Sequence, residues 1–322
     1  MTTIGSTDLE ISGLCLGGNV FGWTADEETS FALLDAFADA GGTVIDTADA
    51  YMASAEGLSG GESEAVLGRW MAARGNRDRM VIATKVGAMP GRRGLAPDTI
   101  AAAADDSLRR LQTDRIDLYY AHRDDPDVAQ EDYLGAFDAL VRSGKVRAVG
   151  ASNFDTERLA DALAISDEHD LARFAAVQPH YNLVERDYER DQAPLVEREG
   201  LACLPYFGLA KGFLTGKYRP GQEGDAAVDT GAARGAMSWA RAEGARAYLD
   251  RRGVGVLGVL DDVARTHDVP VAAVSLAWLG SRPTVAAPIA SARTLDQLAE
   301  ILPAHDLVLS DDEQRALDEA SR

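Results

Sequence analysis

Four residues in the first half of the chain carry side chains that together could reduce a carbonyl: Asp46, Tyr51, Lys85 and His122. A tyrosine phenol ionises near pH 10, which makes it a slow proton donor at neutral pH. A nearby ammonium favours the phenolate and lowers that pKa. A carboxylate paired with the ammonium keeps it charged and in position. A neutral imidazole can orient a substrate carbonyl and donate to its oxygen. These are the parts of a general-acid reduction. They lack a hydride, which a nicotinamide cofactor would supply. Each residue alone has an ordinary explanation: Asp46 as a cap, Lys85 as a surface charge, His122 as a structural histidine, Tyr51 as a loop tyrosine.

The elements that carry them decide whether they meet. Short apolar runs at Leu14–Leu16, Thr43–Ile45, Met80–Thr84, Ile116–Ala121, Ala148–Ala151, Phe174–Val177, Ala202–Pro205 and Thr284–Ile289 read as strands. Most lack polar alternation, as strands buried on both faces do. Helical segments alternate with them: 26–40, 62–73, 97–111, 130–143, 156–170, 188–199, 253–267 and 294–302. Eight strand–helix pairs of this size predict an α/β (β/α)8 barrel rather than an open sheet. The run Gly17-Gly18-Asn19-Val-Phe-Gly22 does not fit the dinucleotide turn G-x-G-x-x-G. In a barrel the active site gathers at the C-terminal strand ends. Asp46, Lys85, His122, Ser152, Asn153, Gln178 and Tyr206 all fall there, and Tyr51 follows strand two.

Outside the repeat, residues 2–11 read as a hairpin capping the barrel floor, and 270–280 and 310–321 as extra helices. The aperiodic stretch 219–237 reads as a long loop after strand seven. No linker divides the chain, so residues 1–322 are expected to form one unit. The net charge of −20 argues against nucleic acid or an anionic membrane as partner. Two cysteines in apolar runs, no signal peptide and no membrane-length apolar stretch point to a soluble cytoplasmic protein. His169, His180, His267 and His305 show no metal-binding spacing, which disfavours a metal-dependent hydrolase. Oligomeric state is not legible.

The chain resembles the aldo-keto reductase family over nearly its whole length. Val44-Ile-Asp46-Thr-Ala-Asp-Ala-Tyr51 is similar to the family's D-T-A-x-x-Y motif, and Glu62-Ser-Glu64-Ala-Val-Leu-Gly68 to S-E-x-x-L-G. Ile82-Ala-Thr-Lys85 and Asp117-Leu-Tyr-Tyr-Ala-His122 resemble its lysine and histidine strands. Lys145-Val-Arg-Ala-Val-Gly-Ala-Ser152-Asn153-Phe154 resembles G-K-I-R-x-x-G-x-S-N-F, and 178–182 resembles Q-x-x-Y-N.

The resemblance implies an NADP(H)-dependent oxidoreductase acting on aldehydes, ketones or keto-sugars. Tyr51 would be the general acid, tuned by Lys85 and Asp46, with His122 orienting the carbonyl. Ser152, Asn153 and Gln178 would bind the nicotinamide, with Tyr206 stacked on its ring. Gly18, Asn19 and Asp46 would also bind the cofactor. Leu209, Gly212 and Lys217 lie in a run similar to L-A-x-G-x-L-T-G-K-Y, whose amides approach the pyrophosphate, and Gly208, directly before it, would also bind the cofactor. Ser291 and Arg293 would hold a 2′-phosphate, with Gln297 and Glu300 near the adenosine. Trp23, Met52, Phe207 and Trp239 are candidate pocket walls for a small-molecule carbonyl or alcohol. The chain departs from the family in Tyr206-Phe207-Gly208-Leu209 for Tyr-Ser-Pro-Leu, in Ile301 for Asn, and in the longer loop 52–61. The alternative is a nucleotide-binding regulatory or sensor protein on the same barrel.

Overall fold

The computed structural model of the chain describes residues 1–221 and 242–322. Trp239 and most of the expected 219–237 loop lie outside the described residues. Strands β1 (Thr2–Thr3) and β2 (Glu10–Ile11) pair antiparallel, Thr2 opposite Ile11. Eight strands follow: β3 (Cys15–Gly17), β4 (Val44–Asp46), β5 (Val81–Val86), β6 (Ile116–Ala121), β7 (Val146–Ser152), β8 (Phe174–Gln178), β9 (Ala202–Cys203) and β10 (Ile289–Ala290). They form one sheet in the order β10-β3-β4-β5-β6-β7-β8-β9, with every pair parallel. Its two ends are joined. Cys203 N donates to Thr284 O, Ala286 N to Cys203 O and Ile289 N to Pro205 O, at 2.9, 2.9 and 3.0 Å. The segment entering β10 therefore bonds β9 on one side, while β10 bonds β3 on the other, which closes the (β/α)8 barrel.

Helices α1 (Glu27–Asp39), α2 (Glu62–Arg74), α3 (Pro97–Leu111), α4 (Gln130–Arg142) and α5 (Thr156–Glu168) pack outside. They are followed by α6 (Asp187–Asp191), α7 (Ala193–Arg198), α8 (Arg251–His267), α9 (Val271–Gly280), α10 (Leu295–Ile301) and α11 (Asp311–Ala320). Local chemistry sets several helix starts. Asp26 caps α1 by accepting from Thr29 N, Asp155 caps α5 through Arg158 N, and Ser310 with Glu313 forms a reciprocal capping box on α11. No helix among the described residues is long and apolar enough to cross a membrane.

The barrel has two apolar layers. Inside, Cys15, Val44, Ala83, Leu118, Tyr120, Ala176 and Leu204 pack together, and Ile4, Leu9 and Ile11 of the hairpin join them. The hairpin thus covers the floor, as its position in the sequence suggested. Outside, Ile45, Ile82, Tyr119 and Val149 meet the helices. Gly150 faces inward, where a Cβ would run into the Tyr120 ring.

Most element bounds shift by a residue or two, and three departures from the sequence reading have a physical cause. The expected helix 188–199 is two short helices meeting at Gln192, because Pro194 has no N–H to continue the first. The strand expected at 202–205 is reduced to Ala202–Cys203, since Pro205 can accept but not donate. The last strand moves from 284–289 to Ile289–Ala290, because Val285 makes only an isolated bridge and Pro288 cannot donate.

Candidate active site

Strand geometry gathers the polar residues. Side chains alternate across a strand, so residues two apart share a face. Val44 lies in the barrel interior, and Asp46 follows on its side. Ala83 leads to Lys85, Tyr120 to His122, Ala148 to Ser152, Ala176 to Gln178 and Leu204 to Tyr206 in the same way. Six strands thus deliver their terminal polar groups inward at one end of the barrel.

There Lys85 Nζ lies 2.7 Å from both carboxylate oxygens of Asp46, 2.8 Å from Thr47 O and 2.6 Å from the Tyr51 oxygen. The Tyr51 hydroxyl donates to Asp46 Oδ2 at 2.6 Å, and Gln178 Nε2 donates to Asp46 Oδ1 at 2.8 Å. Lys85 is 0% and Asp46 1% exposed. Such a pair is tolerable only when both charges are hydrogen-bonded, as they are here. The Tyr51 loop is anchored by backbone: Gly18 N donates to Asp46 O and Thr47 N to Ala83 O, at 2.7 and 2.8 Å. Thr47 Oγ1 bonds Ser63 Oγ, which donates to Gly18 O, tying the start of α2 to the loop after β3.

The His122 ring stands edge-on to Tyr51, with centroids 6.1 Å apart at 77°. Its pKa is held down to about 3, first by burial and then by the Lys85 and Arg123 charges. The imidazole is therefore neutral throughout the physiological range. Tyr51 departs from the sequence expectation. Burial, then the Asp46 charge and hydrogen bond, hold its phenol well above the usual value. The resting phenol is protonated. Burial pushes the Lys85 ammonium down, against the opposing pull of Asp46.

A wall of amides and rings borders this cluster. Ser152 Oγ donates to Gln178 O at 2.8 Å. Asn153 adopts φ +55° and donates from Nδ2 to His122 O and Ser152 Oγ, at 2.9 and 3.0 Å. The Tyr206 hydroxyl donates to Asn153 Oδ1 at 3.0 Å. Beyond it, Phe207, Ala210, Lys211 and Gly212 have φ of +55°, +47°, +58° and +97°. This left-handed run bends the chain into a tight turn, with Lys217 lying against Gly212 and Gly208 against Ile289 and Leu276. Successive turns of this kind form anion-binding concavities. Leu209 is half-buried at the start of the turn. Across the cleft, Ser291 Oγ donates to Asn19 Oδ1 at 2.6 Å, and a Cβ on Gly17 would collide with Ser291 Oγ. Arg293 N donates to Gln297 Oε1 at 2.9 Å, and Glu300 is exposed on α10.

The residues present fit a dinucleotide. Amide side chains and a tyrosine ring stand beside the Lys85 cluster, a backbone concavity follows, and a serine and arginine lie beyond. His122 Nδ1 is a buried polar atom with no protein partner, in keeping with a site that takes a polar ligand. The Aldo/keto reductase family profile matches residues 13–322.

The chain belongs to the aldo/keto reductase family.

It is 35% identical to norsolorinic acid reductase B of Aspergillus parasiticus, over 98% of this chain and 82% of that protein. It is 32% identical to the protein tas of Escherichia coli, over 95% of this chain and 93% of that one. An aryl-alcohol dehydrogenase of Pestalotiopsis microspora is 30% identical over 95% of this chain and 77% of its own length. Against this family background, Ile301 is a core residue at 2% exposure rather than a cleft-facing polar one. Phe207 is 39% exposed beside Tyr206, Met52 is half-buried at φ +58°, and Trp23 is half-buried.

Sequence reasoning missed three residues in or beside the site. Thr47 contributes a carbonyl to Lys85, which side-chain type cannot signal. Asp49, between Asp46 and Tyr51 in sequence, is fully buried and feels the charges of Glu64, Arg110 and Arg92. His180 lies parallel to Tyr206. Its position two residues past the inward-facing Gln178 that ends β8 was the available clue.

Proposed function

We propose that this aldo/keto reductase is an NADP(H)-dependent carbonyl reductase in which Tyr51 is the general acid, the whole of 1–322 serving as one catalytic unit. The observation that carries the reading is the single Lys85 ammonium shared between Asp46 and the Tyr51 oxygen. A bound nicotinamide supplies a hydride to the carbonyl carbon. Tyr51 delivers its proton to the carbonyl oxygen. Lys85 stabilises the phenolate left behind, Asp46 holds Lys85, and neutral His122 donates to the same oxygen and fixes its direction.

The remaining residues bind. Ser152, Asn153 and Gln178 would hold the carboxamide, and Tyr206 would face the ring. The turn through Gly208, Leu209 and Gly212, with Lys217, takes the pyrophosphate. Ser291 and Arg293 take the 2′-phosphate, with Gln297 and Glu300 alongside. Gly18 and Asn19 line the opposite edge. The substrates we infer are aryl ketones and aldehydes. The relatives named for norsolorinic acid reduction and aryl-alcohol dehydrogenation support this, and so does the exposed Phe207 ring beside Tyr206.

The test incubates the protein with NADPH and 4-nitrobenzaldehyde and follows NADPH consumption. Tyr51→Phe should lower kcat by about 10²–10⁴-fold while leaving the NADPH Kd near that of the unaltered protein. A Phe variant with full turnover would remove Tyr51 from the mechanism.

A further inference from the structure

The Tyr206 ring has two faces, and the structure shows what lies on one of them. His180 is stacked on it, with centroids 5.4 Å apart and planes 11° from parallel. Phe207 closes the edge of the pair, 5.2 Å from Tyr206 at 74° and 5.4 Å from His180 at 78°. The two segments that carry the rings are bonded to each other. Tyr206 N donates to Pro179 O at 2.9 Å, and His180 and Tyr206 form a parallel bridge. Asn182 Nδ2 donates to Phe207 O at 2.9 Å. The Tyr206 hydroxyl is held in turn by Asn153. The tyrosine is thus fixed at its tip by a hydrogen bond and on part of one face by a second, near-parallel ring.

We propose that His180 is a positioning residue for the cofactor: it backs the Tyr206 ring so that the opposite face is presented flat to the nicotinamide. This rests on the reading of Tyr206 as the stacking residue given above. A tyrosine without a backing ring could tilt about its side-chain torsions, and each cofactor molecule would then have to order it on binding. A ring already held parallel is ordered before the cofactor arrives. The chemistry of His180 suits the place. Burial lowers its pKa, Lys211 acts in the same direction, and Glu185 opposes them. With Asn182, Tyr206 and Phe207 as its other neighbours, the imidazole stays neutral at pH 7. A neutral ring stacks behind Tyr206 without placing a positive charge near the oxidised, cationic nicotinamide.

The experiment measures NADPH Kd by fluorescence titration, which requires no turnover, for His180→Ala, His180→Leu, His180→Phe and Tyr206→Ala. His180→Ala and His180→Leu should each raise Kd roughly 2- to 12-fold, the range an aromatic pair contributes. His180→Phe, which keeps a flat ring, should return Kd to within about twofold of the original. Leucine fills much of the same volume, so it separates loss of the ring from loss of packing if the alanine variant folds poorly. In turnover the defect should read in the cofactor KM more than in kcat. If Tyr206→Ala weakens binding while His180→Leu and His180→Ala do not, His180 has no such role, although the cofactor reading stands. If His180→Phe binds as weakly as His180→Leu, support by a flat ring is refuted. If Tyr206→Ala itself leaves Kd unchanged, the stacking assignment fails and this inference falls with it.

Discussion

Asp49→Asn should change how the protein's stability responds to pH. Asp49 is 0% exposed, and neither of its carboxylate oxygens has a hydrogen-bond partner in the protein. Burial raises its pKa from 3.8 to about 7, and the neighbouring Glu64 carboxylate adds to the shift against Arg110 and Arg92. The folded chain therefore holds this proton at a pH where the unfolded chain has already lost it. As pH rises from about 4 to about 7, only unfolding releases the proton, so the carboxyl costs the folded state progressively more stability. A gap of about three pKa units corresponds to about 4 kcal/mol in full, and rather more than half, about 2.5 kcal/mol, develops between pH 5 and pH 8. Asparagine has the shape of the neutral acid but cannot ionise. Its stability at any one pH carries a separate, pH-independent offset, because its amide donors also lack partners there. The pH dependence of the difference is free of that offset, and every other titrating group is common to both proteins. Urea unfolding of both, followed by tryptophan fluorescence at pH 5 and pH 8, measures it. The stability of the Asn variant relative to the original should rise by about 2.5 kcal/mol between the two. A relative stability that stays constant, or falls, would refute the claim that Asp49 keeps its proton into the neutral range.

Two further variants test the cofactor site and the frame around it. Arg293→Ala should raise the KM for NADPH by roughly 10- to 100-fold, the worth of a charge-assisted contact, while leaving the KM for NADH nearly unchanged; an equal effect on both cofactors would remove Arg293 from 2′-phosphate recognition. Gly68→Ala should destabilise the fold by about 1–3 kcal/mol, read as a lower urea midpoint, because a Cβ at that point of α2 would overlap the Arg110 carbonyl and the Leu111 backbone, which have little freedom to move.

Most of the site was legible because strand periodicity is a strong constraint. Asp46, Lys85, His122, Ser152, Gln178 and Tyr206 each end an apolar run, and once the strands close into a barrel, alternation alone turns them inward together. What the sequence could not convey was the balance of forces among them. Lys85 beside Tyr51 suggested a phenol made more acidic, yet the structure places Asp46 against the same hydroxyl in a dry interior, and those effects outweigh the ammonium. The strand into β10 was misplaced because residues 285–289 are apolar throughout, and that run was not weighed against Pro288, which cannot donate to a sheet and leaves Val285 an isolated bridge. His180 went unassigned because stacking depends on two segments 26 positions apart being bonded side by side.

The raised pKa of Tyr51 clarifies what Lys85 contributes to the proposed reaction. In the resting site the ammonium donates into the phenol oxygen, while the phenol proton points to Asp46 Oδ2. Burial and the carboxylate both favour keeping that proton, so the site stays loaded as an acid at neutral pH. A carbonyl oxygen that gains negative charge competes with Asp46 for the proton, and turning the hydroxyl about its C–O bond is enough to redirect it. As the proton leaves, charge grows on an oxygen already 2.6 Å from Lys85 Nζ. The attraction between them is therefore weak while the phenol is neutral and strong when the proton is in transit. An interaction that strengthens along the reaction lowers the barrier, whereas one already complete in the resting state does not. On this view Lys85 accelerates the step by stabilising the phenolate as it forms, without ionising Tyr51 beforehand, and Asp46 both restrains the proton and keeps the ammonium in place to receive the charge.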